Sequence, residues 1–260
     1  MTYNATPNVH HTGSEMLPDL GSPAELAEIL GGVWTSLPAL PLTAIRHRLD
    51  TIEEGLTGFL FAPELFARPK GTKARAALLA AYQALERGAA GLIVSERPRN
   101  IDPAVPCLLV DEPTKAIERL ARHRRAHSPA TFFAVTGSVG KTTTKNMIHA
   151  MASPPAPVHK TIANYNDGLE SIRFILSSLS DQHRYCAAEF SEVGDLEKQL
   201  EFYRPHVAVI TNIYFEHASK IEKKGFRGEG VVRHLVELAA GVIRHLQPGG
   251  TCVLNADGEN

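Results

Sequence analysis

The nine residues Thr136, Gly137, Ser138, Val139, Gly140, Lys141, Thr142, Thr143 and Thr144 carry the densest chemistry in the chain. Glycines in such a segment let backbone N–H groups face an anion, and a helix N-terminus behind it adds partial positive charge. Lys141 reaches the terminal phosphates of a nucleoside triphosphate, and a hydroxyl from Thr142 or Thr143 can ligate Mg²⁺. Either threonine could instead serve only to start the helix. The spacing departs from the standard P-loop, which places a glycine where Val135 stands. A second chemical group is Glu189, which closes the apolar stretch Tyr185-Cys186-Ala187-Ala188. A carboxylate there is a hard oxygen ligand suited to Mg²⁺, or else a surface glutamate at a strand end.

A phosphate loop works only when a strand and a helix hold it. Phe132-Phe133-Ala134-Val135 reads as a buried strand entering the loop, and Lys145 to Met151 as a helix leaving it. Further on come a helix over 168–178, a strand ending at Glu189, a helix, and the apolar strand Val207 to Ile213. A long helix over 230–246 and a strand at 251–254 follow. This alternation predicts a mostly parallel, doubly wound P-loop domain over 131–260, with ligands beyond the C-terminal ends of its strands. Upstream, Ser22-Pro23-Ala24-Glu25 is a capping box that starts a helix ending near Gly31-Gly32. Strands are expected at 57–62, 91–94 and 107–110. Helices are expected at 73–87, with Gly88 as C-cap, and over 113–125. The fold class is α/β throughout: a flexible arm over 1–21, a small α/β domain over 22–126, a linker at 127–130, then the nucleotide domain.

The loop Thr-Gly-Ser-x-Gly-Lys-Thr-Thr resembles that of the ATP-dependent Mur ligases, which add amino acids to the peptidoglycan precursor. It looks most like the branch that adds D-Ala-D-Ala. Four further segments follow in the family's order. Asn164-Tyr165-Asn166-Asp167 is similar to its Gly-Asn-x-Asn-Asn turn, with Ala163 for the glycine and Asp167 for the last asparagine. The strand ending at Glu189 is similar to its second motif. Glu216-His217 stands after a strand where the family has a metal-binding histidine. Gly249 to Asp257 is similar to its strand leading to Leu-Asn-x-Asp.

The resemblance implies ATP and Mg²⁺ as cofactors and a carboxylate and an amine as small-molecule substrates. In that chemistry the γ-phosphoryl group passes to the carboxylate, and the amine then displaces phosphate from the acyl phosphate. Lys141 would stabilise the β- and γ-phosphates and Glu189 would hold Mg²⁺. His217 would bind a second Mg²⁺ or orient the γ-phosphate, close to Glu189, or else be a solvated loop histidine. Asn164 and Asn166 would contact substrate or metal, or be structural turn residues. Asn255 and Asp257 would approach adenine or ribose, or form a plain strand-end turn.

Two departures qualify the resemblance. The family's metal-supporting lysine falls at Ala239 and its accompanying acid at Gly241, and no lysine follows Lys224. The first-domain substrate motif is not recognisable, His47-Arg48-Leu49-Asp50 being the nearest text. The resemblance also implies a third domain, supplied by a continuing chain or by a protein partner. Two functions are therefore expected: an amide-forming ligase or the N-terminal part of one, or an ATP-binding relative acting with such a partner.

The bulk properties narrow the rest. A net charge of −1 gives no general attraction to nucleic acid or membrane. The basic run Arg119, Arg122, Arg124, Arg125 reads as the solvated face and C-terminal end of a helix. Cys107, Cys186 and Cys252 stand far apart in apolar runs and read as buried free thiols in a reducing compartment. No histidine pair is read as having the spacing of a metal-binding helix pair. Neither a membrane helix nor a signal peptide is apparent, so a cytoplasmic location is expected.

Overall fold

The computed structural model describes residues 20–66, 73–153, 158–161, 168–191, 196–214 and 229–256. These form two five-stranded sheets in succession along the chain.

The first sheet has the order β1-β5-β4-β3-β2, with β1 (Gly32–Trp34), β2 (Ala44–Arg46), β3 (Phe59–Phe61), β4 (Ala89–Val94) and β5 (Cys107–Val110). All pairs are parallel except β1 with β5. Helix α1 (Pro23–Leu30) starts as its sequence dictates: the Ser22 hydroxyl accepts from the Glu25 N–H at 3.2 Å, and Gly31 closes the helix at φ +63°. A four-residue helix α2 (Pro63–Phe66), then α3 (Lys73–Glu86) and α4 (Pro113–His127), complete this part. Of the arm expected over 1–21, residues 1–19 lie outside the described residues. Leu20 is buried, and its N–H is bonded to the Leu42 carbonyl.

The second sheet is parallel throughout, in the order β10-β9-β6-β8-β7. Its strands are β6 (Thr131–Thr136), β7 (Val158–Lys160), β8 (Tyr185–Glu189), β9 (Val207–Ile210) and β10 (Thr251–Leu254). The helices are α5 (Lys141–Ala152), α6 (Gly168–Ser177), α7 (Leu196–Tyr203) and α8 (Glu229–Arg244). The chain leaves the central strand β6 toward β7 and returns to β8. It then crosses over β6 to β9 and continues outward to β10. The connections therefore diverge between β6 and β9, and in sheets of this kind ligands bind beyond the C-terminal ends of the strands where the order reverses. The core beneath is built by Phe132, Ala134, Ile172, Leu176, Cys186, Ala188, Leu200, Tyr203 and Ala208.

Helix α4 joins the two parts. Ala116, Ile117 and Leu120 pack into the first core and Ala121 into the second. The arginines do crowd the C-terminal half of the helix, and Arg119 and Arg122 are exposed, but the solvated-face reading fails for Arg124, which is buried, and for Arg125, which is half-buried. Arg125 donates to the carbonyls of Tyr203 (2.6 Å) and Arg204 (2.5 Å) and lies 4.0 Å over the Phe132 ring. Arg124 is buried and donates to the Leu20 carbonyl, and Arg119 donates to the Leu30 carbonyl. Glu118 accepts from Arg173 of α6 at 2.6 Å. Arginine serves here because its planar fork can satisfy several carbonyl oxygens while its stem covers apolar surface.

Candidate nucleotide site

The site is built where three parallel strands end together. Val135 of β6 pairs with Glu189 of β8, and Thr136 of β6 pairs with Ile210 of β9. The loop after β6, the carboxylate ending β8 and the segment 211–214 after β9 therefore share one edge. Helix α5 begins at Lys141 itself, four residues before its sequence-based start, so Lys141, Thr142 and Thr143 form its first turn. Gly140 is the N-cap at φ +85°, and no side chain caps the helix. The first-turn N–H groups of an α-helix have no partner within the helix, so this end is suited to an anion.

The loop is fixed from beneath. Gly137 has φ +129°, and a Cβ there would fall 2.2 Å from Thr211 Oγ1 and 2.8 Å from the Asn212 carbonyl oxygen. Only glycine fits. The Ser138 N–H donates to the Asn212 carbonyl at 3.0 Å, and the Val139 N–H to Asn212 Oδ1 at 2.9 Å. Ser138 Oγ donates to the Tyr214 carbonyl at 3.1 Å and accepts from the Tyr214 N–H at 2.8 Å. Thr211 Oγ1 donates to the Val139 carbonyl at 2.7 Å. The Lys141 ammonium curls back onto the loop, donating to the carbonyls of Gly137 and Ser138, the latter at 2.9 Å. Thr136 is buried beneath the loop, where its hydroxyl donates to the Phe190 carbonyl at 3.2 Å. Thr142 is half-buried and Thr143 exposed.

Glu189 is buried, only 1% exposed, at the very end of β8. Its carboxylate lies 3.5 Å from the Lys145 ammonium, and both side chains are shielded from water. Lys145 stands one helical turn beyond Lys141 and is the one buried residue of α5. It donates to the Thr161 carbonyl at 2.8 Å. Burial pushes the Lys145 ammonium below its ordinary pKa, while the neighbouring Glu189 charge pushes it up.

The structure brings Lys141, Thr142 and Glu189, all singled out in the sequence, to one sheet edge. The sequence reading missed Lys145, Thr161, Asn212 and Tyr214. The i, i+4 spacing of Lys141 and Lys145 on a helix was the available signal for one of them. His217, Asn164, Asn166 and Asp257 lie outside the described residues. Asn255 is exposed just after β10, two strands from β6 on the same side of the sheet.

Ala239 and Gly241 are buried on α8 with Val231, Leu235 and Val242, so the position expected for a metal-supporting lysine belongs to a packed helix face. Arg48 and Asp50 bond each other at 2.9 and 2.5 Å, and the His47 ring stacks 3.6 Å from Phe174. The segment nearest to a substrate motif is therefore spent on structure. His123 and His127 do stand one turn apart on α4, with rings stacked at 4.3 Å, and the His127 Nδ1 meets the His123 carbonyl at 2.8 Å. Among the described residues no three His, Cys, Asp or Glu side chains gather as a metal group. Cys107 and Cys186 are buried free thiols, and Cys252 is partly buried. No described helix is long and apolar enough to cross a membrane.

These features define a protein of the doubly wound α/β class. Residues 135–260 match the Mur ligase middle domain. The chain is 30% identical over 177 residues to the UDP-N-acetylmuramoyl-tripeptide–D-alanyl-D-alanine ligase of Synechocystis, covering 67% of this chain and 37% of that protein. Crystal structure I of MurF from Acinetobacter baumannii superimposes with a TM-score of 0.63 at 25% identity, over 93% of this chain and 49% of that one. MurF from Thermotoga maritima, solved in complex with ADP, superimposes with a TM-score of 0.52 at 25% identity, over 82% of this chain and 46% of that one. The chain belongs to the Mur ligase family. It spans about half the length of the solved relatives, and little over a third of the Synechocystis enzyme.

Proposed function

We propose that this chain binds ATP with Mg²⁺ at the 136–144 loop and forms the nucleotide-binding part of an ATP-dependent ligase that joins a carboxylate to an amine. The observation that carries the reading is the loop's construction. A glycine that admits no side chain, an uncapped helix start and the Lys141 ammonium converge beyond the end of β6. The relatives' names support a peptidoglycan-precursor substrate, and the ADP held by the Thermotoga relative supports the nucleotide.

The residues fit Mg²⁺ as an ion carried mainly by phosphates and water. One buried carboxylate, Glu189, and the Thr142 hydroxyl would supply the protein oxygens, which is how this ion is usually held beside a nucleotide. Bound there, Mg²⁺ supplies neutralisation of phosphate charge. The chain's own contribution is orientation: α5 faces its N-terminus at the phosphates, and Lys141 leaves the carbonyls of Gly137 and Ser138 to meet the terminal phosphate oxygens. The γ-phosphoryl group then passes to the substrate carboxylate oxygen, giving ADP and an acyl phosphate. The amine attacks the acyl carbon and phosphate leaves. His217 is proposed at this site, with Asn164 and Asn166 toward substrate and Asn255 and Asp257 toward the nucleoside.

A second reading is favoured by Ala239 and Gly241, whose burial in α8 removes one charge-supporting position. In it the chain binds ATP and acts with a protein that completes the site. Phosphate release and amide product, measured with and without such a protein, separate the two.

The nucleotide placement is tested by calorimetry with a non-hydrolysable ATP analogue and Mg²⁺. Lys141→Ala is expected to weaken binding about ten- to a hundredfold, the worth of a charge-assisted hydrogen bond. Equal affinity in wild type and variant would refute the placement.

A further inference from the structure

A helix that packs on a sheet ordinarily buries leucine or alanine. Helix α5 buries a lysine instead, and that lysine is 0% exposed. Taking an ammonium out of water is costly even after relaxation, so a neighbouring charge and fixed hydrogen-bond partners must offset it. The partners are specific. Lys145 Nζ sits between the Thr161 carbonyl, at 2.8 Å, and Glu189 Oε2, at 3.5 Å. The hydrogen bond to Thr161 is the shorter contact and anchors the ammonium. The Glu189 carboxylate is then drawn to a charge whose position is already fixed.

Thr161 acts on Glu189 as well. Its N–H donates to the Ala187 carbonyl at 3.1 Å, extending the β7–β8 ladder by one residue. Its hydroxyl accepts from the Glu189 N–H at 3.4 Å. On the other flank the Phe190 N–H donates to the Val135 carbonyl at 2.8 Å. The Glu189 backbone is thus fixed by β6 on one side and Thr161 on the other, and its side chain is oriented by Lys145. Two lysines one turn apart on α5 accordingly meet different partners: Lys141 folds over the loop, and Lys145 points under it to the carboxylate.

We propose that Lys145 is a positioning residue for the metal site. By drawing Glu189 Oε2 toward an ammonium anchored on Thr161, it fixes the orientation in which the carboxylate would meet Mg²⁺ that arrives with the nucleotide. This rests on the reading of Glu189 as a Mg²⁺ ligand. Residues that orient a ligand from behind commonly set metal affinity by ten- to a hundredfold.

The experiment is calorimetry of a non-hydrolysable ATP analogue, titrated at a series of Mg²⁺ concentrations and once without Mg²⁺. For Lys145→Gln, which keeps a donor for Thr161 and removes the charge, the half-effective Mg²⁺ concentration is expected to rise about tenfold. Metal-free nucleotide binding should be unchanged, a separation that a merely structural role would not produce. Lys145→Met should show the same rise. Lys145→Arg keeps the charge but shifts it, and should fall between Lys145→Gln and wild type. Should the neutral variants not fold, Lys145→Arg carries the test, and a wild-type Mg²⁺ midpoint then overturns the proposal. Folded Lys145→Gln with a wild-type midpoint, alongside a raised midpoint in Glu189→Gln, overturns the positioning role alone. An unchanged midpoint in Glu189→Gln overturns the metal reading, and the role of Lys145 with it.

Discussion

The two sheets of this chain treat their polar residues in opposite ways. In the first, the segment closest to a binding motif is consumed internally. Arg46 donates to the carbonyls of Thr51 and Ile45 and pairs with Glu53, Arg48 pairs with Asp50, and His47 stacks on Phe174. In the second, the end of the central strand leads into a glycine loop and an uncapped helix, and a buried ion pair sits directly behind it. Internally paired groups make a stable scaffold. A buried ion pair behind a glycine loop and an uncapped helix start makes a site. Strand order contributes to the difference, because only the second sheet shows divergent connections at its central strand.

The sharpest way to break this comparison is at Gly137. Replacement by alanine sets a Cβ against Thr211 and the Asn212 backbone and imposes φ +129° on a residue that resists it. Backbone strain and overpacking together are expected to cost on the order of 3 kcal/mol, and nucleotide binding should be lost with the loop's shape. Gly55 of the first part, at φ +80° with open space around it, carries only the conformational cost, about 1 kcal/mol for alanine. Chemical denaturation of both variants checks the ratio. Equal costs would show that the loop is not tightly seated on 211–214.

A second test concerns the seam between the two parts. His159 on β7 is partly buried, its ring 4.8 Å from that of His183 and its Nε2 donating to the Ile175 carbonyl at 2.8 Å. Burial pushes its pKa down to about 3. The folded pKa lies below the unfolded value, so between about pH 6.5 and 3 the unfolded chain binds a proton that the folded chain does not. Stability is therefore fully present above pH 6.5 and falls as pH drops, by about 1.4 kcal/mol per unit for this one group. By pH 5 about 2 kcal/mol should be gone. His183, also depressed by burial, steepens the loss. Denaturation at pH 7 and pH 5 reads this, and His159→Gln should flatten the slope. An unaltered slope would show that acid sensitivity originates elsewhere.

Legibility in the sequence followed the physics of each element. Parallel strands buried on both faces appear as uninterrupted apolar runs, so β6, β8 and β9 were readable, and with them the edge on which Lys141 and Glu189 meet. Helix α1 was readable because Ser22, Pro23 and Gly31 mark both ends. The strands β1, β2 and β7 have three residues each and carry no apolar run, whereas the equally short β3 lies within Phe59-Leu60-Phe61-Ala62 and was readable. Lys145 was hidden because a lysine on a helix is expected to face water, and only a carboxylate 44 positions away makes its burial tolerable. Arg124 and Arg125 of α4 misled for the same reason. Their partners are backbone carbonyls of Leu20, Tyr203 and Arg204, which no side-chain pattern reveals.

The smallest effect should come from the first sheet's own ion pair. Arg48 and Asp50 make two hydrogen bonds, yet their side chains are 40% and 63% exposed. The Arg48 guanidinium holds the Asp50 carboxyl below its ordinary pKa. A depressed carboxylate contributes stability above its unfolded pKa and loses it as pH falls through the folded value, so any contribution lies at neutral pH and fades in acid. Solvent screens a pair this exposed, and the worth of such pairs is rarely above about 1 kcal/mol. Arg48→Ala should therefore lower stability by less than about 1 kcal/mol at pH 7. It should leave nucleotide binding at the 136–144 loop unchanged. A loss of several kcal/mol would show that this segment holds the first sheet together. A loss of nucleotide affinity would join the two sheets into one site and end the contrast between them.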